Sequence, residues 1–130
     1  MNKRTVVPRN FLLLDALNNV GNYTHITYGL ADEKDYANNY VKMEYWNVTF
    51  MYDDGEVMNI FEALCRCSQT FPKERPTVTF NKGGLEHRRL RKLCQPDGKL
   101  TEATTSQVRW TENMSLGDYL SEILRVISAR

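Results

Sequence analysis

Apolar side chains recur at helical spacing near the start of the chain. Leu13, Leu17 and Val20 fall on one stripe of a helical wheel. Pro8 precedes this stripe and Gly21 follows it. Because proline suits the first turn of a helix and glycine suits the position after its end, the pattern predicts a helix from about Pro8 to Val20.

A second helix is predicted close to the end of the chain. Ser115 is a suitable N-cap residue, and Asp118 stands three positions further on, a pairing that resembles a capping box. The apolar stripe of this helix then consists of Leu116, Leu120, Ile123, Leu124 and Ile127.

Between the two helices, the residues 39–67 alternate in a way that predicts a long β-hairpin. The pair Asp54-Gly55 is suited to a two-residue type I′ turn, in which both central residues need a positive φ. A turn at this pair fixes the register of the hairpin and places Thr49 directly opposite Ile60.

Side chains alternate between the two faces of each strand. On the face predicted to be the core lie Trp46, Val48, Phe50, Phe61, Ala63, Cys65 and Cys67. On the opposite face lie Tyr45, Asn47, Thr49, Met51, Met58, Ile60 and Glu62. Several side chains of this second face are apolar, and a contiguous apolar patch on an open sheet face is a candidate contact surface.

Two further extended segments complete the predicted sheet. The residues 24–30 form a short extended segment before the hairpin, and the residues 77–80 form a strand after it. The two prolines of "FPKERP" (71–76) predict an extended surface crossing. The order of elements predicts a single α+β domain over 1–130, with a four-stranded antiparallel meander and with helices packed on one face of the sheet.

The composition is that of an ordinary globular protein, with 42% hydrophobic and 25% charged residues. The formal net charge is +1, so no overall field favours nucleic acid or an acidic membrane surface. No segment approaches the roughly 18 apolar residues of a membrane span. Three cysteines fit a reducing compartment better than a disulfide framework. We therefore expect a soluble intracellular protein that recognises its partners by shape.

Four short motifs resemble a known family. "VPRNF" (7–11), "YGLAD" (28–32), "FPKERP" (71–76) and Trp110 before the last helix are similar to the ubiquitin-conjugating (E2) fold, and in particular to its catalytically inactive ubiquitin E2 variants. The likeness extends over 7–128. The chain stops after its last predicted helix, as this variant subfamily does, whereas active E2s usually continue with two more helices.

This resemblance implies that the catalytic apparatus of an E2 is missing. An active E2 carries ubiquitin on a cysteine, and an upstream His-Pro-Asn motif stabilises the developing oxyanion. Where the family has G-x-x-C, this chain has Gly98-Lys99-Leu100-Thr101, and the segment 86–97 contains no such motif and no asparagine. A threonine hydroxyl is a poor thioester carrier, so we expect a protein that is not itself an enzyme.

Other interpretations of the polar and sulfur-containing residues stay open. Cys94, with His87 as its base, could serve as the nucleophile of an active E2. Cys65 and Cys67 could bind zinc together with Cys94 and a histidine, but a lone C-x-C lacks the usual zinc spacing, and buried apolar thiols are the preferred interpretation. The basic run "HRRLRK" (87–92) could contact nucleic acid or an acidic partner, but no aromatic residues interleave with it as stacking platforms. A solvated face is the preferred interpretation, because a short basic run in a near-neutral protein commonly needs no ligand.

The resemblance also implies two binding surfaces. In the family, the phenylalanine that corresponds to Phe11 inserts into a pocket of the active E2 partner, and the helical wheel here places Phe11 away from the apolar stripe. Pro8 and Leu12 would complete that contact, although Phe11 could instead pack locally against the N-terminal tail. The positions that would contact acceptor ubiquitin are Thr27, Thr49 and Ile60, and their alternative role is a simple cross-strand pair that stabilises the sheet.

The function implied by the resemblance is that of a cofactor subunit. The chain would form a heterodimer with an active E2 and bind acceptor ubiquitin weakly, so that linkage-specific, non-degradative polyubiquitin chains form, as in DNA-damage tolerance and signalling. We expect no cofactor, no metal, no membrane and no direct nucleic acid contact, and a cytoplasmic or nuclear location. The alternatives are an active E2 that uses Cys94 and a stand-alone ubiquitin-binding module.

Overall fold

The computed structural model describes Leu13, the residues 23–31 and the residues 44–129. The described residues contain one antiparallel sheet in which each strand pairs with the next along the chain, in the order β1-β2-β3-β4. The strands are β1 (Ile26–Leu30), β2 (Tyr45–Asp53), β3 (Met58–Arg66) and β4 (Thr77–Phe80). This arrangement confirms the predicted four-stranded meander.

Short helical elements follow the sheet. They are a 3₁₀ turn (Gly84–Glu86) and the helices α1 (Arg88–Leu93), α2 (Glu102–Thr105) and α3 (Leu116–Ser128). Leu13 is helical and fully buried, in agreement with the predicted first helix, but the rest of 8–20 lies outside the described residues. With the sheet, these elements place the fold in the predicted α+β class. Within the described part of the chain, each helix is too short or too polar to cross a bilayer.

The core lies on one face of the sheet, as the alternation predicts. All seven residues expected on the core face of the hairpin are buried, and Trp46, Phe50, Cys65 and Cys67 are fully inaccessible to solvent. They form one apolar cluster with the buried stripe of α3. Because adjacent residues on a strand point to opposite sides, this burial leaves the other face of the sheet to the solvent or to a partner.

The predicted hairpin turn is wrong, although the predicted faces are right. Asp53 pairs with Met58, so the loop contains the residues 54–57 and is longer than a two-residue turn. The side chain of Asp54 causes the difference, because Oδ1 accepts hydrogen bonds from the backbone N–H groups of Glu56 (2.9 Å) and Val57 (3.0 Å), as aspartate often does in turns. These bonds lower the pKa of Asp54 to about 2. Relative to the prediction, the pairing of β2 with β3 is shifted by two positions. Because this number is even, every side chain stays on its predicted face of the sheet.

Helix α3 begins as predicted. The Oγ atom of Ser115 accepts a hydrogen bond from the N–H of Asp118 at 3.0 Å, and the hydroxyl of Tyr23 donates to Asp118 Oδ1 at 3.0 Å. Gly117 allows this contact, since a Cβ atom there would lie 2.1 Å from Cε2 of Tyr23. Of the predicted apolar stripe, Leu124 is half-buried and the other four residues are buried.

The segment 71–76 differs from its prediction as an extended surface crossing. It begins with turns, in which the N–H of Phe71 bonds to the carbonyl of Ser68 and the N–H of Lys73 bonds to that of Thr70. Phe71 is buried, and its ring lies 5.7 Å from the ring of Trp110. The packing of Phe71 against Trp110 therefore places the start of this segment in the core.

Candidate functional site

Thr101 serves as the N-cap of α2. Its Oγ1 atom accepts a hydrogen bond from the N–H of Thr104 at 3.1 Å and lies 2.8 Å from the hydroxyl of Thr104. Its own N–H donates to the carbonyl of Leu93 at 3.0 Å. Threonine is a favoured N-cap residue, so the hydroxyl at the position where the resemblance places the E2 cysteine has a structural partner. The spacing of Thr101 and Thr104 is the sequence signal that could have predicted this cap.

The turn before Thr101 packs tightly against the sheet. Gly98 has a φ of +96°, and its carbonyl accepts a hydrogen bond from the N–H of Phe80 at 2.8 Å. A Cβ atom at Gly98 would lie 2.2 Å from the carbonyl oxygen of Phe80. A glycine is therefore required here, both by the backbone conformation and by the close approach of β4.

Cys94 ends helix α1 and is poorly suited to act as a nucleophile. The residue is 9% exposed. Burial, with a smaller contribution from the charge of Asp97, raises the pKa of its thiol to about 11. Because the thiolate is the reactive form, this thiol is largely protonated at neutral pH.

His87 lies at the other end of α1 and faces the hairpin loop. Its Nδ1 atom accepts a hydrogen bond from the N–H of Arg89 at 3.1 Å, which makes it the N-cap of the helix. Its Nε2 atom lies 3.7 Å from Oδ2 of Asp54. The six residues of α1 separate His87 from Cys94 by about 9 Å of helix, so the structure does not bring this histidine and this thiol together.

The second candidate site is the outer sheet face, which we define as the side of the sheet opposite to the core. Thr27 pairs directly with Thr49 across β1 and β2. Thr49 pairs with Glu62, and Ile60 pairs with Met51, so the predicted pairing of Thr49 with Ile60 is wrong. Since Ile60 stands two positions from Glu62, it is a diagonal neighbour of Thr49, and the three predicted residues still share one surface.

Exposed apolar side chains cluster at the hairpin side of this surface. Ile60 is 62% exposed, Met58 is 48% exposed and Leu64 is 38% exposed on the outer sheet face, while Val57 in the adjoining loop is 58% exposed. Val57 and Leu64 were not predicted from the sequence as part of this surface. Leu64 could have been found, since it continues the alternation of β3 beyond Ile60 and Glu62. A patch of this kind is typical of a contact surface.

Comparison with known proteins identifies the architecture around these two sites. No protein-family model and no curated protein sequence matches the chain. The structure of human ubiquitin-conjugating enzyme E2 G1 matches with a TM-score of 0.65 and 16% identity, over 94% of this chain and 97% of that one. A ubiquitin-conjugating enzyme E2 from Plasmodium falciparum matches with a TM-score of 0.69 and 12% identity, over 99% of this chain and 90% of that one.

The chain has the ubiquitin-conjugating fold. This similarity confirms the fold that the four motifs implied. The identities of 12% and 16% are low, so the similarity establishes the fold and leaves the reaction open.

The remaining candidate residues of the sequence analysis are those of the N-terminal motif and the two cysteines of the hairpin. Pro8, Phe11 and Leu12 lie outside the described residues. Cys65 and Cys67 lie fully buried on the core face, and a hydrogen bond with Cys67 together with burial raises the pKa of the Cys65 thiol. In the part of the chain that the structure describes, histidines, cysteines and carboxylates form no group of three that could hold a metal ion.

Proposed function

We propose that this chain is a catalytically inactive variant of the ubiquitin-conjugating fold. It pairs with an active E2 and holds an acceptor ubiquitin in position for chain synthesis. The proposal rests on the fold, on the chemistry around Thr101 and Cys94, and on the exposed outer sheet face.

The observation that carries the proposal is the environment of Thr101 and Cys94. Thioester formation needs a thiolate that is both accessible and close to a base. The hydroxyl of Thr101 caps a helix, and the thiol of Cys94 is buried with a pKa of about 11. His87 is engaged with the backbone of α1 and lies near Asp54. These features favour a subunit that relies on the cysteine of a partner.

The outer sheet face supports the second half of the proposal. Thr27, Thr49 and Ile60 share this surface, and Ile60 is 62% exposed. Full burial of one such aliphatic side chain in a partner is worth about 1.5–3 kcal/mol. A contact anchored by so few apolar side chains suits a weak complex with acceptor ubiquitin, in which binding is reversible between successive rounds of transfer.

The proposed contribution to the reaction is orientation. Donor ubiquitin is held as a thioester on the cysteine of the active E2. The amine of an acceptor lysine attacks the thioester carbonyl, an isopeptide bond forms, and the cysteine thiolate leaves. Correct orientation can lower such a barrier by roughly 7–11 kcal/mol in well-ordered intramolecular cases. The lysine presented by the outer sheet face would thus determine the linkage.

The partner contact is proposed from the N-terminal motif. Pro8, Phe11 and Leu12 would dock into a hydrophobic pocket of the active E2, with Phe11 as the central anchor. Burial of a phenylalanine contributes on the order of 1.5–3 kcal/mol, and aromatic anchors often dominate an interface. By the resemblance of this motif, the products would be non-degradative chains that act in DNA-damage tolerance and signalling.

A charging assay tests the proposed inactivity. The purified chain is incubated with ubiquitin-activating enzyme, ATP and ubiquitin, and reducible adducts are sought by gel electrophoresis and mass spectrometry. We expect no adduct on this chain and a thioester on an active E2 in the same mixture. A reducible adduct that disappears in Cys94→Ser, with unchanged circular dichroism, would overturn the proposal in favour of an active E2.

A mixing experiment tests the proposed heterodimer. Size-exclusion chromatography with an active E2 compares the wild-type chain with Phe11→Ala and with Thr24→Ala as a control at an exposed position. We expect a heterodimer that Phe11→Ala weakens and Thr24→Ala does not. The exposed outer sheet face also favours a stand-alone ubiquitin-binding module, which would bind ubiquitin without an E2 and would be indifferent to Phe11→Ala.

A further inference from the structure

A groove separates the hairpin loop from helix α1, away from the outer sheet face. Asp54 and Glu56 contribute one wall, His87, Arg88 and Lys92 belong to the other, and Tyr52 and Arg89 complete the lining. Its volume is about 460 Å³, which lies within the range of about 300–1,000 Å³ typical of ligand sites. The groove can therefore receive several side chains of a bound segment.

Helix α1 presents an exposed basic face, of which Arg88 and Lys92 line the groove. Arg88, Arg91 and Lys92 lie within about 100° of one another on the helical wheel, whereas Leu90 on the opposite side is fully buried. Arg88, Arg91 and Lys92 are all exposed. Among the described residues, none of the three has an ion pair, because the ion pairs there belong to Arg66, His87, Arg109 and Arg125.

The helix that carries this basic face is held in place by other residues. The Nε atom of Arg89 donates to the carbonyl of Ile127 at 2.6 Å, and His87 caps the first turn of α1. Leu90 anchors the helix in the core. The exposed cations therefore project from a positioned element and do not contribute to holding it.

The acidic wall of the groove does not neutralise these cations. Asp54 is occupied by the backbone N–H groups of its own loop and by Nδ2 of Asn59 at 3.1 Å. Glu56 is exposed, and in the described part of the chain its carboxylate makes no ion pair with Arg88 or Lys92 across the groove. A ligand carboxylate could therefore pair with the cations of the basic wall, while the acidic wall would repel it.

We infer that this groove is a docking site for an acidic segment of a protein partner, with at least two carboxylates directed at Arg88 and Lys92. Arginine can bind a carboxylate through two parallel hydrogen bonds. Arg88 and Lys92 are four positions apart and therefore share one face of α1. Carboxylates spaced along an extended or helical peptide can thus contact both side chains. The residues of this site differ from those assigned to the two surfaces of the proposed function, and the inference does not depend on them.

The surroundings favour a peptide over other polyanions. A nucleic acid backbone would bring regular phosphates against Asp54 and Glu56, and the ring of Tyr52 is half-buried at 5.9 Å from the ring of His87, so it offers no open stacking platform of the kind that single strands use. An anionic membrane usually requires a cluster of about four to eight basic residues. Only three arginines and lysines are among the lining residues of the groove, and the groove has an acidic rim.

Fluorescence anisotropy with the full chain tests the inference. The probe is a labelled synthetic peptide in which glutamates alternate with alanines, and a peptide with glutamines in place of the glutamates is its neutral counterpart. We expect only the acidic peptide to bind, with an affinity that falls as salt is added. In Arg88→Gln and Lys92→Gln, affinity should fall about two- to fivefold for each charge removed, the range typical of exposed ion pairs.

Matched variants make the test specific. Lys73→Gln with Arg109→Gln removes the same charge at two exposed positions outside the groove and should leave affinity unchanged. Glu56→Gln removes a repelling carboxylate and should tighten binding. Circular dichroism is expected to be the same for all variants, because the altered side chains are exposed.

Several results would overturn the inference. One is an equal loss of affinity in the Lys73 and Arg109 control. A second is weaker binding in Glu56→Gln. A third is tighter binding to single-stranded DNA or to phosphatidylserine vesicles than to the acidic peptide, since this would assign the basic face to another class of partner.

Discussion

Among the glycines that the structure describes, Gly98 is the position where adding one methyl group is expected to have the largest effect. Its φ of +96° lies in a region that residues with a Cβ atom rarely adopt. A Cβ atom would also lie 2.2 Å from the carbonyl oxygen of Phe80, which belongs to a strand and cannot move alone. Gly98→Ala therefore combines backbone strain with a collision against the sheet.

The expected cost follows from these two contributions. Placing a non-glycine residue in the left-handed region costs about 1–2 kcal/mol, and forcing extra volume into a packed site costs about 1–3 kcal/mol. Together they predict a loss of about 2–5 kcal/mol of the free energy of unfolding. The hydrogen bond from the N–H of Phe80 to Gly98 would also lengthen, so the turn before Thr101 should shift.

Urea denaturation, followed by circular dichroism, measures this effect. The midpoint of Gly98→Ala should fall by about 1–2.5 M for a slope of about 2 kcal/mol/M. Gly83→Ala is the matched control, because a Cβ atom there meets no atom within 4 Å, and its stability should change by less than about 0.5 kcal/mol. Equal midpoints for both variants would refute the reasoning.

Four further predictions concern other sites. Gly117→Ala should displace Tyr23 and lower the thermal midpoint of unfolding by several degrees, since a new Cβ atom would contact its ring; an unchanged midpoint would contradict this packing. The folded pKa of Asp54 is depressed from 3.8 to about 2, so its contribution to stability is complete above pH 3.8 and is lost as the pH falls towards 2; Asp54→Asn should remove this dependence in acid titrations. Cys94, with a raised pKa, should react with iodoacetamide much more slowly than free cysteine at pH 8, and equal rates would refute its burial. Ile60→Asp should leave the unfolding free energy within about 0.5 kcal/mol and abolish ubiquitin binding measured by NMR titration, and intact binding would argue against the outer sheet face as the contact.

Burial was predictable from the sequence wherever a regular period determines it. The alternation of Trp46, Val48 and Phe50 identified the core face of the hairpin correctly, and Ser115 identified the start of α3. These predictions succeeded because a period of 2 in strands and a capping residue in helices are local properties of the chain.

The hairpin register could not be predicted in the same way. An Asp-Gly pair is compatible with a two-residue turn, but Asp54 instead binds backbone groups of its own loop. A side-chain hydrogen bond of this kind competes with the turn type that the pair alone would favour.

The burial of Phe71 could not be predicted from the local sequence either. It depends on contact with Trp110, which is distant along the chain, and the local pattern of prolines carries no information about that contact.

The candidate site contains one feature that the sequence shows and others that depend on the fold. The replacement of the family cysteine by Thr101 is visible in the sequence, but the capping role of its hydroxyl depends on how α2 begins. The separation of His87 from Cys94 depends on α1, a helix that the sequence analysis did not predict because its apolar pattern, with Leu90 and Leu93 only, is too short to show a period.

Helix α1 links two parts of the fold that are far apart along the chain. His87 reaches the tip of the β2–β3 hairpin at Asp54, and Arg89 binds the last turn of the C-terminal helix at Ile127, where a positive charge is also favoured by the helix dipole. Because α1 contacts both elements, opening of the β2–β3 hairpin tip and unwinding of the last turn of α3 are expected to be coupled. Amide protons at both places should exchange with deuterium as one cooperative unit.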